Sequence, residues 1–256
     1  MLRVRVIPCL LLRNGGLVKT VRFAAATYVG DPINAVRIFN EKEVDELVFL
    51  DIGTSSDRGP NFSLLADIAS EAFMPFAYGG GISTIDQVKR LFSLGVEKVV
   101  INTAAWSNAS LISEAVALAG SSSVVVSIDV LAKSRERYSV YVQGGKTDTK
   151  RDPMEYARDM QQLGAGEILL NAIHKDGTME GYDLALLRRV AAAVTIPVVA
   201  VGGAGSLTHF RDAVASGASA VAAGSFFVFH GKHRAVLITY PGYAELEQAL
   251  GSSADQ

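Results

Sequence analysis

Cysteine is almost missing from this chain: Cys9 stands alone among 256 residues. One thiol closes no disulfide within a single chain and builds no Cys-based metal site, which suits a reducing cytosol. The four histidines, at 174, 209, 230 and 233, follow no metal-ligand spacing. We therefore expect neither a metal nor a cofactor. An excess of one charge is missing too, with 24 Lys and Arg against 26 Asp and Glu. That balance gives no global signal for nucleic acid or for a membrane surface. No apolar run approaches the ~18 residues of a membrane span. The opening MLRVRVIPCLLLRNGG holds a short apolar run broken by Arg3 and Arg5, without the small-residue cleavage site of a signal peptide.

What is present is alternation. Short apolar runs near 3–11, 47–52, 75–79, 98–102, 123–129, 167–172, 197–201 and 220–224 read as strands. Between them lie INAVRIFNEKE, IDQVKRLFSLG and LTHFRDAVASG, with apolar residues at helical three- and four-residue spacing. Eight strands alternating with helices predict a parallel sheet, and eight also close a (β/α)8 barrel whose site lies at the C-terminal strand ends. We read residues 1–250 as one barrel domain and 251–256 as a disordered tail. The segment SRERYSVYVQGGKTDT (134–149) reads as a small hairpin after strand five.

The two halves resemble each other. PFAYGGGIST (75–84) matches PVVAVGGAGS (197–206), and at the same spacing LGVEKVVINTAA falls on SGASAVAAGSFF. Two matches at one spacing predict duplicated half-barrels. Strand one laid on strand five sets Leu11 against Asp129. A site with one acid from each half would then hold only one.

The Gly-rich turns with Gly80, Gly81, Gly202 and Gly203 each follow a strand and precede a helix. Glycine lets backbone N–H groups approach a phosphate, and the next helix start favours an anion. The turns Asn102-Thr103 and Gly224-Ser225 would complete one cradle in each half, so a ligand with two phosphates is the sharper reading. The alternative is that these glycines only tighten turns. Asp129 ends strand five, where a carboxylate suits general acid or base work; helix capping is the competing role. Asp51, ending strand two, divides in the same way. Asp176 in HKDGT holds a turn or touches ligand, and Lys19 in GLVKT reaches an anion or is solvated. Arg5, Glu46, Lys98 and Glu167 start strands one, two, four and six, so they share the N-terminal face and can satisfy one another as an ionic ring. His230, Lys232, His233 and Arg234 form a basic cluster after strand eight, for an anion, a partner or solvent.

IPCL, GDP (30–32), DELVFLDI, GGGI, KVVINTAA, GAGEILLN, DGTMEGYD, PVVAVGGAG and AAGSFF resemble the cyclase subunit of imidazole glycerol phosphate synthase over roughly residues 1–230. The resemblance implies a barrel that takes ammonia from a glutaminase subunit at its N-terminal face. The ammonia crosses to a bisphosphate ribulosyl nucleotide at the other face, giving imidazole glycerol phosphate and an aminoimidazole carboxamide ribotide. It makes Arg5, Glu46, Lys98 and Glu167 the ammonia gate. Of the family's two catalytic aspartates, one maps to Asp129 and the other to Leu11, and leucine moves no proton. GGLVKTVRF also departs from the family's first-loop motif, which usually ends Lys-Gly. PCLLL, GKHRAVL and ITYP are similar to a cyclase-like branch that accompanies a glutaminase and a sugar amidotransferase in surface-polysaccharide pathways. That implies a cytoplasmic barrel delivering ammonia for an acetamidino group on a nucleotide sugar. The alternative is a working cyclase of histidine biosynthesis, with Asp51 or Asp176 covering for Leu11.

Overall fold

In a computed structural model, which describes residues 4–55, 57–134, 137–231 and 233–251, eight strands form a closed parallel ring. They are β1 (Arg5–Arg13), β2 (Leu47–Asp51), β3 (Phe76–Gly79), β4 (Lys98–Ile101), β5 (Val124–Ala132), β6 (Glu167–Ala172), β7 (Val198–Val201) and β8 (Ala220–Ala223). Each pairs in parallel with the next, and β8 returns to β1 with Ala220 opposite Arg5. This is the expected (β/α)8 barrel. Among the described residues no helix is long and apolar enough to cross a membrane. Residues 252–256 of the expected tail, and Lys232, lie outside the described residues.

Strand alternation builds two cores. On β1, Ile7 and Cys9 point inward with Val48, Val100, Val125 and Leu169 and fill the barrel. Val6, Leu10 and Leu12 point outward and join Phe39, Phe49 and Leu65 beneath the helices. The helices start where side chains satisfy their free N–H groups. Asp31 accepts from Asn34 N at 2.9 Å with Pro32 following, Thr84 and Gln87 form a capping box, and Asp183 and Ser206 cap in the same way. The helices Pro32–Glu41, Ile85–Ser93 and Leu207–Ala215 stop about two residues before the apolar pattern does. Glu43, Gly95 and Gly217 there take positive φ, which ends a right-handed helix.

Strands one and five run past the ends their sequences predict, to Arg13 and Ala132. Asn14 and Gly15 both take positive φ, 52° and 79°, the geometry of a type I′ turn. β1 therefore continues through Arg13 and folds back as Gly16–Lys19, which sets Val18 against Leu11. β5 likewise runs past Asp129 to Ala132 and pairs with Tyr138–Val142, so the expected hairpin is continuous with the barrel. The two half-barrels thus share a nine-residue strand with an antiparallel return.

Candidate functional site

At the N-terminal end the four strand-start charges Arg5, Glu46, Lys98 and Glu167 meet. Arg5 bridges Glu46 and Glu167 through its two terminal nitrogens. Lys98 Nζ lies 3.0 Å from both Glu46 carboxylate oxygens and 3.2 Å from Glu167 Oε2. Each acid therefore touches both bases. Glu46 and Glu167 are buried, whereas Arg5 remains partly open to solvent. Burial opposes the Arg5 charge, but Glu167 and Glu46 outweigh it, so its pKa stands raised. The ring expected from strand-start positions is formed.

The C-terminal end shows which position faces which. Leu50 on β2 and Asn171 on β6 each stand four residues beyond their ring glutamate. Leu11 is in register with Leu50 and Asp129 with Asn171. Leu11 and Asp129 therefore occupy matching heights in the two halves. Leu11 is half-buried; Asp129 is buried.

Two amides clamp Asp129. Asn102 Nδ2 donates to its Oδ2 at 3.1 Å, and Asn171 Nδ2 donates to its Oδ1 at 3.3 Å. Asn102 also donates to Ser127 O at 2.9 Å. Burial pushes the Asp129 carboxyl up to about 7; the Asn171 bond opposes this, the Asp176 charge adds to it, and the Asn102 bond opposes it. A carboxyl that changes protonation near neutrality can act as acid or base. The shift also fixes a sign. Between the unfolded value near 3.8 and about 7, the native state holds the extra proton, so stability falls as pH rises through that window. Urea midpoints of wild type and Asp129→Asn across pH 4–8 should diverge in favour of the variant up to about pH 7 and then run parallel. A gap independent of pH would contradict the raised value.

Asn171 is the residue sequence reasoning missed. Its signal was available: it ends the apolar run GAGEILLN as Asp129 ends its own, and barrel order makes the two strands neighbours.

The remaining expected residues are placed as follows. Lys19 turns inward, is buried, and donates to Cys9 O at 2.6 Å. Burial lowers its pKa against the pull of Cys9 and Asp176. Asp176 accepts from Thr20 Oγ1 at 2.8 Å and Phe23 N at 3.2 Å, tying the first loop to the sixth. Asp51 points off the barrel axis and caps its own turn, accepting from Gly53 N at 2.9 Å; burial raises its pKa. Neither Asp51 nor Asp176 is bonded to Asp129.

The Gly-rich turns need glycine. Gly80 and Gly203 have φ of 132° and 110°, and a Cβ on either would run into backbone, of Asp51 and Gly181 respectively. Both downstream turns open short helices, Thr103–Ser107 and Ser225–Val228, begun by Asn102 and Gly224. The turns carrying Gly81 and Gly202 are thus paired in each half with a second turn, as the repeat implies. Of the basic cluster, His230 lies in Phe229–His230, which pairs with Ala235–Val236, and Arg234 donates to Gly177 O at 3.3 Å.

Comparison with known proteins gives a consistent picture. Residues 5–234 match the family described as histidine biosynthesis protein. A protein of Pseudomonas aeruginosa (strain PAO1), provisionally named imidazole glycerol phosphate synthase subunit hisF2, is 54% identical over 96% of this chain and 99% of its own. One from Leptospira borgpetersenii, provisionally named subunit HisF of the same synthase, is 46% identical over 96% of this chain and 98% of its own. One from Vibrio vulnificus (strain YJ016), provisionally named subunit hisF3, is 46% identical over 98% and 97%. With a family match over most of its length and relatives aligned nearly end to end, the chain belongs to the histidine biosynthesis protein family.

Proposed function

We propose that this chain is a cyclase-type subunit that conducts ammonia but has given up the family's cyclisation chemistry. A partner glutaminase on the N-terminal face releases ammonia at the ring of Arg5, Glu46, Lys98 and Glu167. The apolar interior, with Ile7, Val48, Ala77 and Val100 above the ring, favours neutral ammonia over ammonium, because an unpaired charge there loses its hydration. The ammonia then passes to an amidotransferase that forms an acetamidino group on a nucleotide sugar for lipopolysaccharide, in the bacterial cytoplasm. The single observation that carries this reading is the pairing of a complete ionic ring with Leu11 at the height of Asp129.

A second reading, a working cyclase of histidine biosynthesis, is favoured by the retained Gly-rich turns and by Asp129, whose carboxyl titrates near neutrality. Geometry weakens it: Asp51 faces its own turn and Asp176 is held by the first loop, so neither stands where Leu11 does. Losing one positioned acid or base costs about 10²–10⁴-fold in rate. The test supplies ammonium and the bisphosphate ribulosyl nucleotide to the barrel with its glutaminase and follows consumption of the nucleotide. We expect no turnover by the natural protein and measurable turnover by Leu11→Asp. Turnover by the natural protein at the variant's rate would establish the histidine enzyme instead.

A further inference from the structure

Phe73 is the most exposed large apolar residue among those described, at 89%. It precedes β3, so it stands on the N-terminal face with the ionic ring. An isolated exposed apolar side chain is ordinary and means little. The backbone that carries this one is held by named bonds. Phe73 N donates to Asn40 Oδ1 at 3.0 Å, and Asn40 Nδ2 donates to Glu71 O at 2.7 Å. Arg37 grips the Glu71 carboxylate at 3.0 and 2.8 Å. Both sides of the loop are therefore tied to the helix Pro32–Glu41.

The loop is also tied to the gate. Pro75 O accepts from Leu47 N at 3.0 Å, and Phe76 O accepts from Glu97 N at 3.0 Å. Leu47 follows Glu46 and Glu97 precedes Lys98, so two of the four ring residues are one residue from the anchored loop. Leu118, 43% exposed at the end of the helix Ser110–Ala119 that leads into β5, adds a second apolar group to this face.

We infer that Phe73 is the anchor by which the glutaminase subunit docks, its ring filling an apolar socket on that partner, with Leu118 as a secondary contact. The inference rests on the proposed function, which puts the ammonia donor on this face, and it names the contact. A rigid aromatic loses little conformational freedom on binding and buries a large area, which is why aromatic side chains dominate binding energies at interfaces. The bonds of Pro75 and Phe76 to Leu47 and Glu97, the neighbours of Glu46 and Lys98, set the ionic ring beneath the docked subunit.

Titration calorimetry of the full chain with its cognate glutaminase tests this, using wild type, Phe73→Ser, Phe73→Tyr and Tyr28→Ser, the last an exposed residue on the opposite face, in the strand Thr27–Gly30 that pairs with Gly16–Lys19. Phe73→Ser is expected to raise Kd about 30-fold. Phe73→Tyr and Tyr28→Ser should stay within about threefold of wild type. The Phe73 site is solvent-facing, so far-UV circular dichroism and melting should be unchanged. Phe73→Ser binding within twofold of wild type overturns the anchor and leaves the proposed function standing. No binding by wild type at up to about 50 μM protein overturns both. Sedimentation of the chain alone supplies the other outcome: a dimer dispersed by Phe73→Ser makes this face a self-contact and overturns the inference.

Discussion

Glu167→Leu is expected to lower the unfolding free energy by about 3 kcal/mol. Glu167 is 6% exposed and holds Arg5 and Lys98 together with Glu46. The variant leaves two cations on one carboxylate at the barrel floor. Breaking one partner out of a buried ionic group costs more than the group contributed, because the remaining charges stay desolvated without compensation. Arg5 keeps some access to water, which holds the loss to the lower part of that range. For a chain of this size such a loss is a fall in Tm of about 6–12 °C. Urea unfolding at pH 7 measures it. A loss below about 1 kcal/mol would mean that the ring behaves as a solvated surface network.

Gly203→Ala is the second large effect, at about 3 kcal/mol. At φ 110° a side chain is strained before any contact is considered. Here the added Cβ also meets the Gly181 carbonyl and lies 3.1 Å from Lys175 Cβ. The neighbour cannot simply withdraw, because Gly181 N donates to Gly203 O at 2.7 Å. Gly144→Ala is the control: φ is also positive, at 65°, but nothing lies within 4 Å of its Cβ. That variant should cost only about 1 kcal/mol. The difference between the two combines the close approach of the sixth and seventh loops with the larger φ of Gly203. Equal costs would show that backbone conformation alone explains the glycine.

Much of the barrel was legible in the chain. The strand runs fell where the strands lie, because an apolar stretch of strand length between helical patterns has few other ways to be buried. The half-barrel repeat correctly placed Leu11 at the height of Asp129, since register in a closed barrel follows from strand order and parity. The strand-start charges Arg5, Glu46, Lys98 and Glu167 were recognisable as a ring for the same reason. The extension of β1 was less visible. Asn14-Gly15 reads as a generic turn in sequence, and the I′ hairpin it makes depends on a returning strand, Gly16–Lys19, that carries only four residues.

By itself, then, the sequence determined the alternation of strands and helices, the internal repeat, the placing of Leu11 against Asp129 and the ionic ring, all of which follow from periodicity and strand order. Tertiary structure alone decided the rest. It put Asn102 and Asn171 on the two oxygens of Asp129 and turned Lys19 onto the Cys9 carbonyl. It left Asp51 facing its own turn and put the Phe73 side chain in solvent on the face of the ionic ring, with its backbone N–H bonded to Asn40. These are contacts between residues distant in sequence, and side-chain direction at a strand end or in a loop is set by neighbours the local pattern does not encode.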